Sequence, residues 1–416
     1  MRLLYFAPHK IWPVNTGARL RDYHLARQLA GRSSVTFVEM RQAGEEKCMP
    51  PNNSGFASVV TLNKDRPYGL AKVLQGLAGP TPVTVLNCWS PRSVSEFASV
   101  IRSREFHTVQ LEGVLLMKYI PLIQEAPGPP AIVVDWHNIE SEIMWRYARI
   151  TRNRIKKLVA IRTAKLLERS EDQLLDTCTT HTVPSERERQ KLLERRPGAN
   201  IHVIANGIDT RWYSSKEIAK TCDEAGNGKS RPTILFVGSM DYHANIDAVT
   251  WFSRTAWPEI ARNYPDLQFT IVGRDPVPEV CALASDRIHV TGTVDDIRPF
   301  YASAIAAVVP IRYGSGTRLK ILEAMAAGVP VVSTRLGAEG IDVDHDVHIL
   351  LADSSLEIAA AVCRVASSPE TQARLSQAAQ ALVCTIYDWS VIGKQLCGIH
   401  EDLVESRPPN ALRKIS

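Results

Sequence analysis

Two glycines, two hydroxyl residues and two cations stand close together in the last third of the chain: Gly314, Ser315, Gly316, Thr317, Arg318 and Lys320. Glycines let backbone amides approach an anion closely, and the positive end of a helix dipole adds roughly half an elementary charge. An apolar helical pattern begins directly after this segment, so the amides would lie at a helix N-terminus. The residue types therefore predict a diphosphate-binding loop.

Glu323 follows Lys320 by three residues, which places both side chains on one face of the predicted helix. Its carboxylate could accept two ribose hydroxyl groups and so hold a nucleotide beside the loop. The alternative is a capped, buried helix with an internal pair between Lys320 and Glu323. The loop pattern by itself does not separate these two interpretations.

A second group of candidates follows two strands predicted in the first half of the chain. Glu112 ends one of these strands, and His137 follows the other, Ala131–Asp135, just before a predicted helix cap at Asn138. Ligands of open α/β sheets bind at the carboxyl ends of strands. A helix N-terminus disfavours an imidazolium, so we expect a neutral His137 near the reacting group. The alternative is a structural histidine bonded to the local backbone.

The elements that would position these residues alternate between strand and helix. The run Leu3–Ala7 predicts a first strand, and a loop through Gly17 leads to a helix. The alternation starts again with the strand Thr233–Val237, after a polar stretch, Ser214–Ser230, which we interpret as a linker. The pattern predicts two doubly wound domains, residues 1–210 and 211–387, with residues 388–416 packing back on the first.

Length and composition agree with this division. A chain of 416 residues exceeds what one core usually supports, and 45% hydrophobic with 22% charged residues is ordinary for a globular protein. No apolar run approaches the ~20 residues of a membrane span, and the start lacks a secretory pattern, so we expect a cytoplasmic protein. The eight scattered cysteines predict no metal site, and a net charge of +5 is too small to indicate nucleic-acid binding.

The segment Arg146–Arg169 combines nine cations with one acid, Glu168, and interleaved apolar residues. Such an amphipathic helix could rest on an anionic membrane, where each basic residue near the surface contributes about 1 kcal/mol to the binding free energy. That location would suit a lipid-linked substrate at the inner face of the membrane. The alternative is a solvated helix face.

Several segments resemble family 4 glycosyltransferases of the GT-B fold. GTRLKILEAMAAGVPVVST at Gly316–Thr334 is similar to the donor-site signature of that family, and NGID at Asn206–Asp209 is similar to its interdomain junction. Phe236–Phe252 and Ile271–Pro276 resemble the opening and the second strand of the donor domain. The segment from Pro8 to Ala30 resembles the first loop and helix of the acceptor domain.

The resemblance implies two Rossmann-like α/β domains that face each other across a cleft, with a C-terminal helix crossing back to the first. It implies a retaining, hexosyltransferase-type enzyme of polysaccharide or glycoconjugate synthesis. The donor would be a UDP or GDP sugar, and the acceptor a glycan or a lipid-linked molecule. No cofactor and no metal are expected. Gly17 would face the donor phosphates, and Gly238 would end the first donor-domain strand beside them.

The same resemblance leaves the catalytic base open. Glu112 occupies the place of a cleft histidine in several family members, and either Glu112 or His137 could take the acceptor proton. In retaining enzymes the departing phosphate oxygen can also remove that proton, so a protein base is not required.

Two departures from the family pattern affect the donor site. Ser315 stands where the family commonly has a first glutamate, and Ser239–Asn245 offers only His243 where an arginine and a lysine are usual. We therefore expect Arg318 and Lys320 to supply the charge. A spaced group of aspartates follows a turn and is expected to be surface loop: Asp342, Asp344 and Asp346. Two other functions stay open, a GT-B sugar-nucleotide epimerase and a non-catalytic nucleotide-sugar binding subunit.

Overall fold

The chain forms two α/β units. The computed structural model describes residues 1–14, 16–42, 45, 54–65, 69–224, 231–314 and 316–406. The first unit comprises Met1–Ala205 and the chain from Ile392 onward, and the second comprises Asn206–Val391. No helix among these described residues combines the length and the apolar character needed to cross a membrane.

The first unit is built on a parallel seven-stranded sheet in the order β3-β2-β1-β4-β5-β6-β7. The strands are β1 (Arg2–Ala7), β2 (Ser34–Gln42), β3 (Ser58–Lys64), β4 (Thr108–Glu112), β5 (Ala131–Asp135), β6 (Thr180–Val183) and β7 (Ile201–Val203). The helices are α1 (Gly17–Ala30), α2 (Leu70–Ala78), α3 (Val83–Asn87), α4 (Pro91–Ser103), α5 (Ile120–Gln124), α6 (Glu140–Ile150), α7 (Arg154–Thr177) and α8 (Glu186–Arg195). A 3-10 helix, Val114–Tyr119, follows β4.

The second unit contains a six-stranded parallel sheet in the order β10-β9-β8-β11-β12-β13. Its strands are β8 (Thr233–Val237), β9 (Gln268–Val272), β10 (Ile288–Val290), β11 (Ala304–Val309), β12 (Val331–Ser333) and β13 (Leu350–Leu351). Its helices are α9 (Ser215–Glu224), α10 (His243–Thr255), α11 (Trp257–Asn263), α12 (Pro278–Cys281), α13 (Arg298–Ala302), α14 (Leu319–Ala326), α15 (Ser355–Ser367) and α16 (Pro369–Leu382). A π-helix, Val383–Tyr387, leads to α17 (Trp389–Glu405), which ends in the first unit.

Continuous apolar runs made the central strands predictable, because parallel strands covered by helices on both faces are buried along their whole length. All residues of β4 and β5 are buried, and so is β1 after Arg2. In each sheet the strand order reverses once, between β1 and β4 in the first and between β8 and β11 in the second. Such a reversal opens a crevice at the carboxyl ends of the two strands.

The predicted two-domain α/β architecture is confirmed, including the return of the last helix to the first unit. Ile392, Leu396 and His400 of α17 are buried, and Cys397 Sγ lies 3.7 Å from the Gln28 carbonyl oxygen. The helical spacing noted in the sequence therefore marks a packed face. The roles given to the two units stay predictions.

Four local expectations were wrong. Helix α9 occupies much of the stretch interpreted as a linker, while residues 225–230 lie outside the described part. The stretch Asn52–Asn63 was expected to be a loop of the acceptor site, but strand β3 occupies Ser58–Lys64. Helix α6 begins at Glu140 with Ile139 as its N-cap, so Asn138 is not the cap. The basic segment Arg146–Arg169 was expected to be one helix, but it lies on two, α6 and α7, because residues 151–153 are not helical.

A buried ion pair fastens α1 to the sheet. Arg21 is 1% exposed, and its Nε and Nη2 atoms each donate to Asp135 at the end of β5, over 2.7 Å. The same guanidinium donates to the carbonyl oxygens of Ile204 and Ala205. Burial acts to raise the pKa of Asp135, but Arg21 and the hydrogen bond from Thr182 hold it below its usual value. Asp135 is therefore ionised.

We expect Arg21→Met to destabilise the first unit by about 3–5 kcal/mol, because it leaves the Asp135 charge buried without its partner. Unfolding in urea would measure the loss. Arg32→Met is the matched control: Arg32 is exposed and lies 3.7 Å from Glu401, a surface pair worth about 0–1 kcal/mol. Equal losses of unfolding free energy in the two variants would contradict a stabilising role for the buried pair of Arg21 and Asp135.

Candidate functional site

Ionisable side chains meet at the carboxyl ends of β1, β4 and β5, and we call this group the His137 cluster: Arg21, Asp22, Glu112, Asp135 and His137. His137 Nε2 lies 2.7 Å from Asp22 Oδ1 and 2.9 Å from Glu112 Oε2. Asp22 comes from α1, Glu112 is the last residue of β4, and His137 follows β5 by two residues. The structure thus brings the two predicted catalytic candidates into contact at the point where the strand order reverses.

The pKa of His137 is raised, which favours the imidazolium form and contradicts the expected neutral imidazole. Burial acts to lower the pKa of His137, but Asp22 and Glu112 raise it well above its usual value. The predicted helix N-terminus does not act here, since α6 begins only at Glu140. The Nε2–H group therefore donates to Asp22, whose pKa His137 holds low against the opposing effect of burial.

Glu112 has the opposite charge state. Burial raises the pKa of Glu112 to about 8, and the neighbouring charges of Asp135 and Asp22 add to the effect. At neutral pH the group therefore holds its proton. Asp22 and Glu112 thus differ in protonation although both contact His137. The two cations of the cluster, His137 and Arg21, already pair with Asp22 and Asp135, and Glu112 therefore keeps its proton.

The cluster has ligand types that a cation could use. Asp22, Glu112 and His137 each place one oxygen or nitrogen within 4.8 Å of the others. However, protons already link these atoms, and the buried charges already balance. The sequence-based expectation of a metal-free site stays a prediction.

Three members of the cluster were missed by sequence reasoning, although the sequence held a signal for two of them. Arg21 and Asp22 lie on the buried face of α1 together with Leu25, Ala26 and Leu29. Charged residues in phase with the apolar face of a helix are expected only where a partner is buried with them. Asp135 was recognised as the end of a strand but was not identified as an ion-pair partner.

The second unit has its own group of candidates at the reversal between β8 and β11. Gly238 follows β8, and a Cβ atom there would lie only 2.7 Å from Lys320 Nζ and 2.8 Å from Asn245 Nδ2. Lys320 Nζ donates to Asn245 Oδ1 over 2.8 Å and lies 4.0 Å from the centre of the Phe236 ring. Lys320 thus reaches from α14 to the end of β8, and a side chain at position 238 would displace it.

Lys320 is poised to change its charge near neutral pH. Burial lowers the pKa of Lys320 to about 7, and the Arg318 charge adds to the effect. An anion placed beside the two cations would raise this pKa and restore the full charge. The predicted pair with Glu323 is secondary, because Lys320 donates to Asn245 instead.

The glycine-rich loop takes a shape that requires its glycines. Gly314 and Gly316 have φ values of 122° and 84°, a region that residues with a Cβ atom rarely adopt. Arg318 donates to the Gly316 carbonyl oxygen and precedes the first residue of α14. Thr317 is partly buried beside it, and Ser315 lies outside the described residues.

Glu323 is partly buried among tyrosines. Tyr301 donates to its Oε2 atom over 3.2 Å, and Tyr213 also bonds to the carboxylate. Burial raises the pKa of Glu323, and these hydroxyl groups act against that increase. One side of the carboxylate is thus occupied, and its contact with a ribose stays a prediction.

A further cation beside this site was not identified from the sequence. Arg274, which follows β9, donates from Nε to Ser239 Oγ over 3.0 Å and is 39% exposed at its side chain. His243, the expected cation of this region, instead stacks on Tyr313 at 5.4 Å. Arg274 was within a quoted motif, but only the pairing of β8 with β9 brings it beside Ser239.

The remaining predicted residue lies in the first unit. Gly17 is the first residue of α1, directly after Thr16, whose hydroxyl caps the helix by accepting from the Arg19 amide. Its position is thus near the start of the helix that carries Asp22. Its contact with donor phosphates stays a prediction.

Comparison with known proteins gives a family match within the second unit. Residues 231–368 match the family model described as Glycosyl transferases group 1. The phosphatidyl-myo-inositol mannosyltransferase of Mycolicibacterium smegmatis is 28% identical over 211 residues, which are 49% of this chain and 52% of that protein. A glycogen synthase of Mycobacterium tuberculosis is 29% identical over 211 residues, 47% of each chain. The alignments therefore span about half the length of these relatives.

Solved structures extend the likeness to both units. Sucrose-phosphate synthase from Thermosynechococcus elongatus has a TM-score of 0.71 at 16% identity and covers 98% of this chain and 100% of its own. Anabaena HepE in complex with UDP-glucose has a TM-score of 0.63 at 16% identity, covering 97% and 100%. These values show the fold, and together with the matched family model they confirm the resemblance to GT-B glycosyltransferases.

The raised pKa of Glu112 predicts a pH-dependent stability. Between the ordinary carboxyl pKa and about 8, the folded chain holds a proton that the unfolded chain releases, so stability falls as pH rises through this window. For one proton the slope is at most about 1.4 kcal/mol per pH unit. We expect the melting temperature of the wild type to fall more steeply from about pH 6 to about pH 8 than that of Glu112→Gln. If calorimetry gave the same dependence of melting temperature on pH for both proteins, the proposal that Glu112 is protonated in the folded chain would be wrong.

Proposed function

We propose that this chain, a GT-B protein with a glycosyl transferases group 1 domain in its second unit, transfers a hexosyl group from a nucleotide diphosphate sugar. The observation that carries the proposal is the proximity of Gly238 to Lys320 and of Gly314 to Arg318 where the strand order of the second sheet reverses. The mannosyltransferase relatives support transfer of a hexosyl group, and the UDP-glucose complex of HepE supports a nucleotide-sugar donor. The donor we propose is a UDP or GDP sugar. The acceptor is a glycan or a lipid-linked molecule.

The donor diphosphate binds to positive groups of the second unit. Arg318 and Lys320 supply charge from the loop and α14, and Arg274 supplies more from the end of β9. Fixed positive groups stabilise the charge that develops on the leaving diphosphate as the glycosidic bond to it breaks. Lys320 gains its full charge as the diphosphate arrives, because an adjacent anion favours the ammonium form.

The His137 cluster binds and orients the reacting sugar or acceptor. An imidazolium can donate a hydrogen bond to a hydroxyl group or stabilise developing negative charge, and Asp22 keeps His137 in that form. Since Glu112 is protonated at neutral pH, it does not act there as the base that takes the acceptor proton. The departing phosphate oxygen then takes the acceptor proton, and the reaction proceeds with retention.

One observation favours the epimerase as a second candidate. Asp22 and Glu112 are carboxyl groups held in opposite protonation states within one cluster, and such pairs serve acid–base chemistry. An epimerase would return the nucleotide sugar with one centre inverted. A transferase would release nucleotide diphosphate and form a new glycosidic bond or free sugar.

We expect Lys320→Met to weaken UDP-glucose or GDP-mannose binding at least about tenfold near pH 6.5, because one positive charge beside the diphosphate is lost. In the wild type, affinity falls as pH rises above about 7, since the free protein loses the Lys320 proton. Lys320→Arg keeps its charge and flattens this dependence. Titration calorimetry at several pH values would measure both effects.

Arg312→Met is the matched control for this prediction, because Arg312 pairs with Asp247 near the same loop. Unchanged affinity in both Lys320→Met and Arg318→Ala would contradict the donor site. Product analysis then separates the functions: nucleotide release favours transfer, an inverted sugar favours the epimerase, and binding without turnover favours a non-catalytic subunit. Glu323→Gln should lower turnover if the carboxylate holds the ribose.

We further propose that the first unit rests on the anionic inner face of a membrane. We call residues 149–159, between and within α6 and α7, the hairpin tip. Three apolar side chains there are 62–74% exposed: Ile150, Ile155 and Leu158. The tip also contains five exposed cations and no acid: Arg149, Arg152, Arg154, Lys156 and Lys157. Exposed apolar side chains close in sequence to several cations fit an anionic lipid surface better than water.

An apolar depression continues the tip between the two helices. It has a volume of about 390 Å³ and is lined by residues that include Met144, Tyr147, Ile155, Val159 and Ala160. A depression of this kind can accept part of an acyl chain. The charge and the apolar surface therefore point to the same partner.

We expect Ile155→Glu/Leu158→Glu to reduce sedimentation with phosphatidylserine vesicles at least about fivefold, because two carboxylates replace the inserted apolar groups. Leu356→Glu is the matched control, since Leu356 is 75% exposed on α15 of the second unit. Wild-type protein that fails to sediment at physiological salt, or that binds neutral vesicles equally well, would contradict the membrane surface.

A further inference from the structure

A line of buried polar side chains runs from α17 to Glu112. His400 is fully buried, and its ring nitrogens lie 3.0 Å from Thr108 Oγ1 and 2.9 Å from Gln110 Oε1. Gln110 Nε2 donates to Glu112 Oε1 over 2.8 Å. The other oxygen of Glu112 faces His137. The last helix is thus connected by hydrogen bonds to the His137 cluster, although His400 is 263 residues from His137 in the sequence.

This line has two complete arrangements of its hydrogen atoms. In the first, Thr108 donates to His400 Nδ1, His400 Nε2–H donates to the Gln110 oxygen, and the Gln110 amide donates to Glu112. In the second arrangement, the side-chain amide group of Gln110 is rotated by about 180°, so that its oxygen and nitrogen exchange places. Glu112 O–H then donates to the Gln110 oxygen, the Gln110 amide donates to His400 Nε2, and His400 Nδ1–H donates to Thr108. Every group has a partner in both arrangements.

The two arrangements match the two charge states of Glu112. A carboxylate only accepts, which requires the first arrangement, whereas a protonated carboxyl group can donate in the second. A neutral imidazole can exchange its donor and acceptor sides between them. Burial keeps His400 neutral by lowering its pKa to about 3. A purely apolar side chain at position 400 would leave one end of the buried Gln110 amide without a partner in either state.

We propose that His400 is a positioning residue which, through Gln110, allows Glu112 to hold or release its proton without losing a buried hydrogen bond. The proposal rests on the proposed function, in which the His137 cluster contacts the reacting groups. The charged and titratable groups that face Glu112 come from β1, α1, β5 and the loop after β5: Tyr5, Arg21, Asp22, Asp135 and His137. Within the His400–Gln110 pair no charge changes above about pH 5, because burial lowers the pKa of His400 to about 3 and an amide does not titrate.

The test follows the His400 tautomer in the substrate-free full chain by ¹⁵N NMR of labelled histidine. The His400 signals are assigned by their loss in His400→Gln. We expect the hydrogen on Nε2 near pH 9.5 and on Nδ1 near about pH 5.5, on either side of the Glu112 pKa of about 8. A tautomer that is the same at both ends of this range would overturn the proposal.

Three further variants identify the route. Glu112→Gln removes the titrating group, so the tautomer should no longer change with pH. Gln110→Leu removes the connection and should also fix the tautomer, even though Glu112 still titrates. Cys397→Ala changes a buried neighbour on the same helix and should leave the tautomer change in place. A change that persists in Gln110→Leu would overturn the route through the amide.

Turnover is measured separately with UDP-glucose or GDP-mannose. The midpoint of the activity–pH profile should agree, within about half a pH unit, with the midpoint of the tautomer change in both wild type and Cys397→Ala. If no turnover occurs but the tautomer follows pH, the proposed function fails and the positioning role of His400 stands. If turnover occurs while the tautomer stays constant, the proposal for His400 fails.

Discussion

The first unit depends on the cost of burying charge. Arg21, Asp22, Asp135 and His137 are ionised at the carboxyl edge of one sheet, and an isolated ion there would be far too costly to persist. Each pairs with an opposite charge from a different element. Arg21 of α1 pairs with Asp135 of β5, and Asp22 of α1 pairs with His137 in the loop after β5. Glu112 has no cation left to match it, and it therefore keeps a proton. The charge pattern thus fixes both the packing of α1 and the chemistry of the cluster.

The second unit uses charge in the opposite way. Its candidate site places two cations close together, and burial and the nearby Arg318 charge lower the pKa of Lys320 to about 7. An anion bound beside them would favour the charged form of Lys320. The glycines at 238 and 314 leave the space in which the cations and a ligand can meet, since Cβ atoms there would lie 2.7 Å and 3.1 Å from Lys320 and Arg318. Both units thus place their candidate sites where the strand order reverses.

Sequence reasoning did well where the signal is local. The strands β1, β5 and β8 lie within a residue of where continuous apolar runs predicted them, because burial on both faces of a parallel sheet selects such runs. It did poorly at two other segments: Ser215–Glu224 forms a helix, and Ser58–Lys64 forms a mostly half-buried edge strand. Edge strands and surface helices are half solvated, so their residues do not show the same apolar run.

The sequence alone determined the alternation of strand and helix, the two units, and the positions of the glycine-rich loop, Glu112 and His137, since these depend on neighbouring residues. Only the tertiary structure decided their charge. His137 was expected to be neutral from an adjacent helix, yet it is an imidazolium because Asp22, 115 residues away, lies 2.7 Å from its ring. Likewise Arg274 and His400 became relevant only through strand pairing and helix packing. A pKa depends on distances through space and on burial, and neither quantity is written in the order of residues.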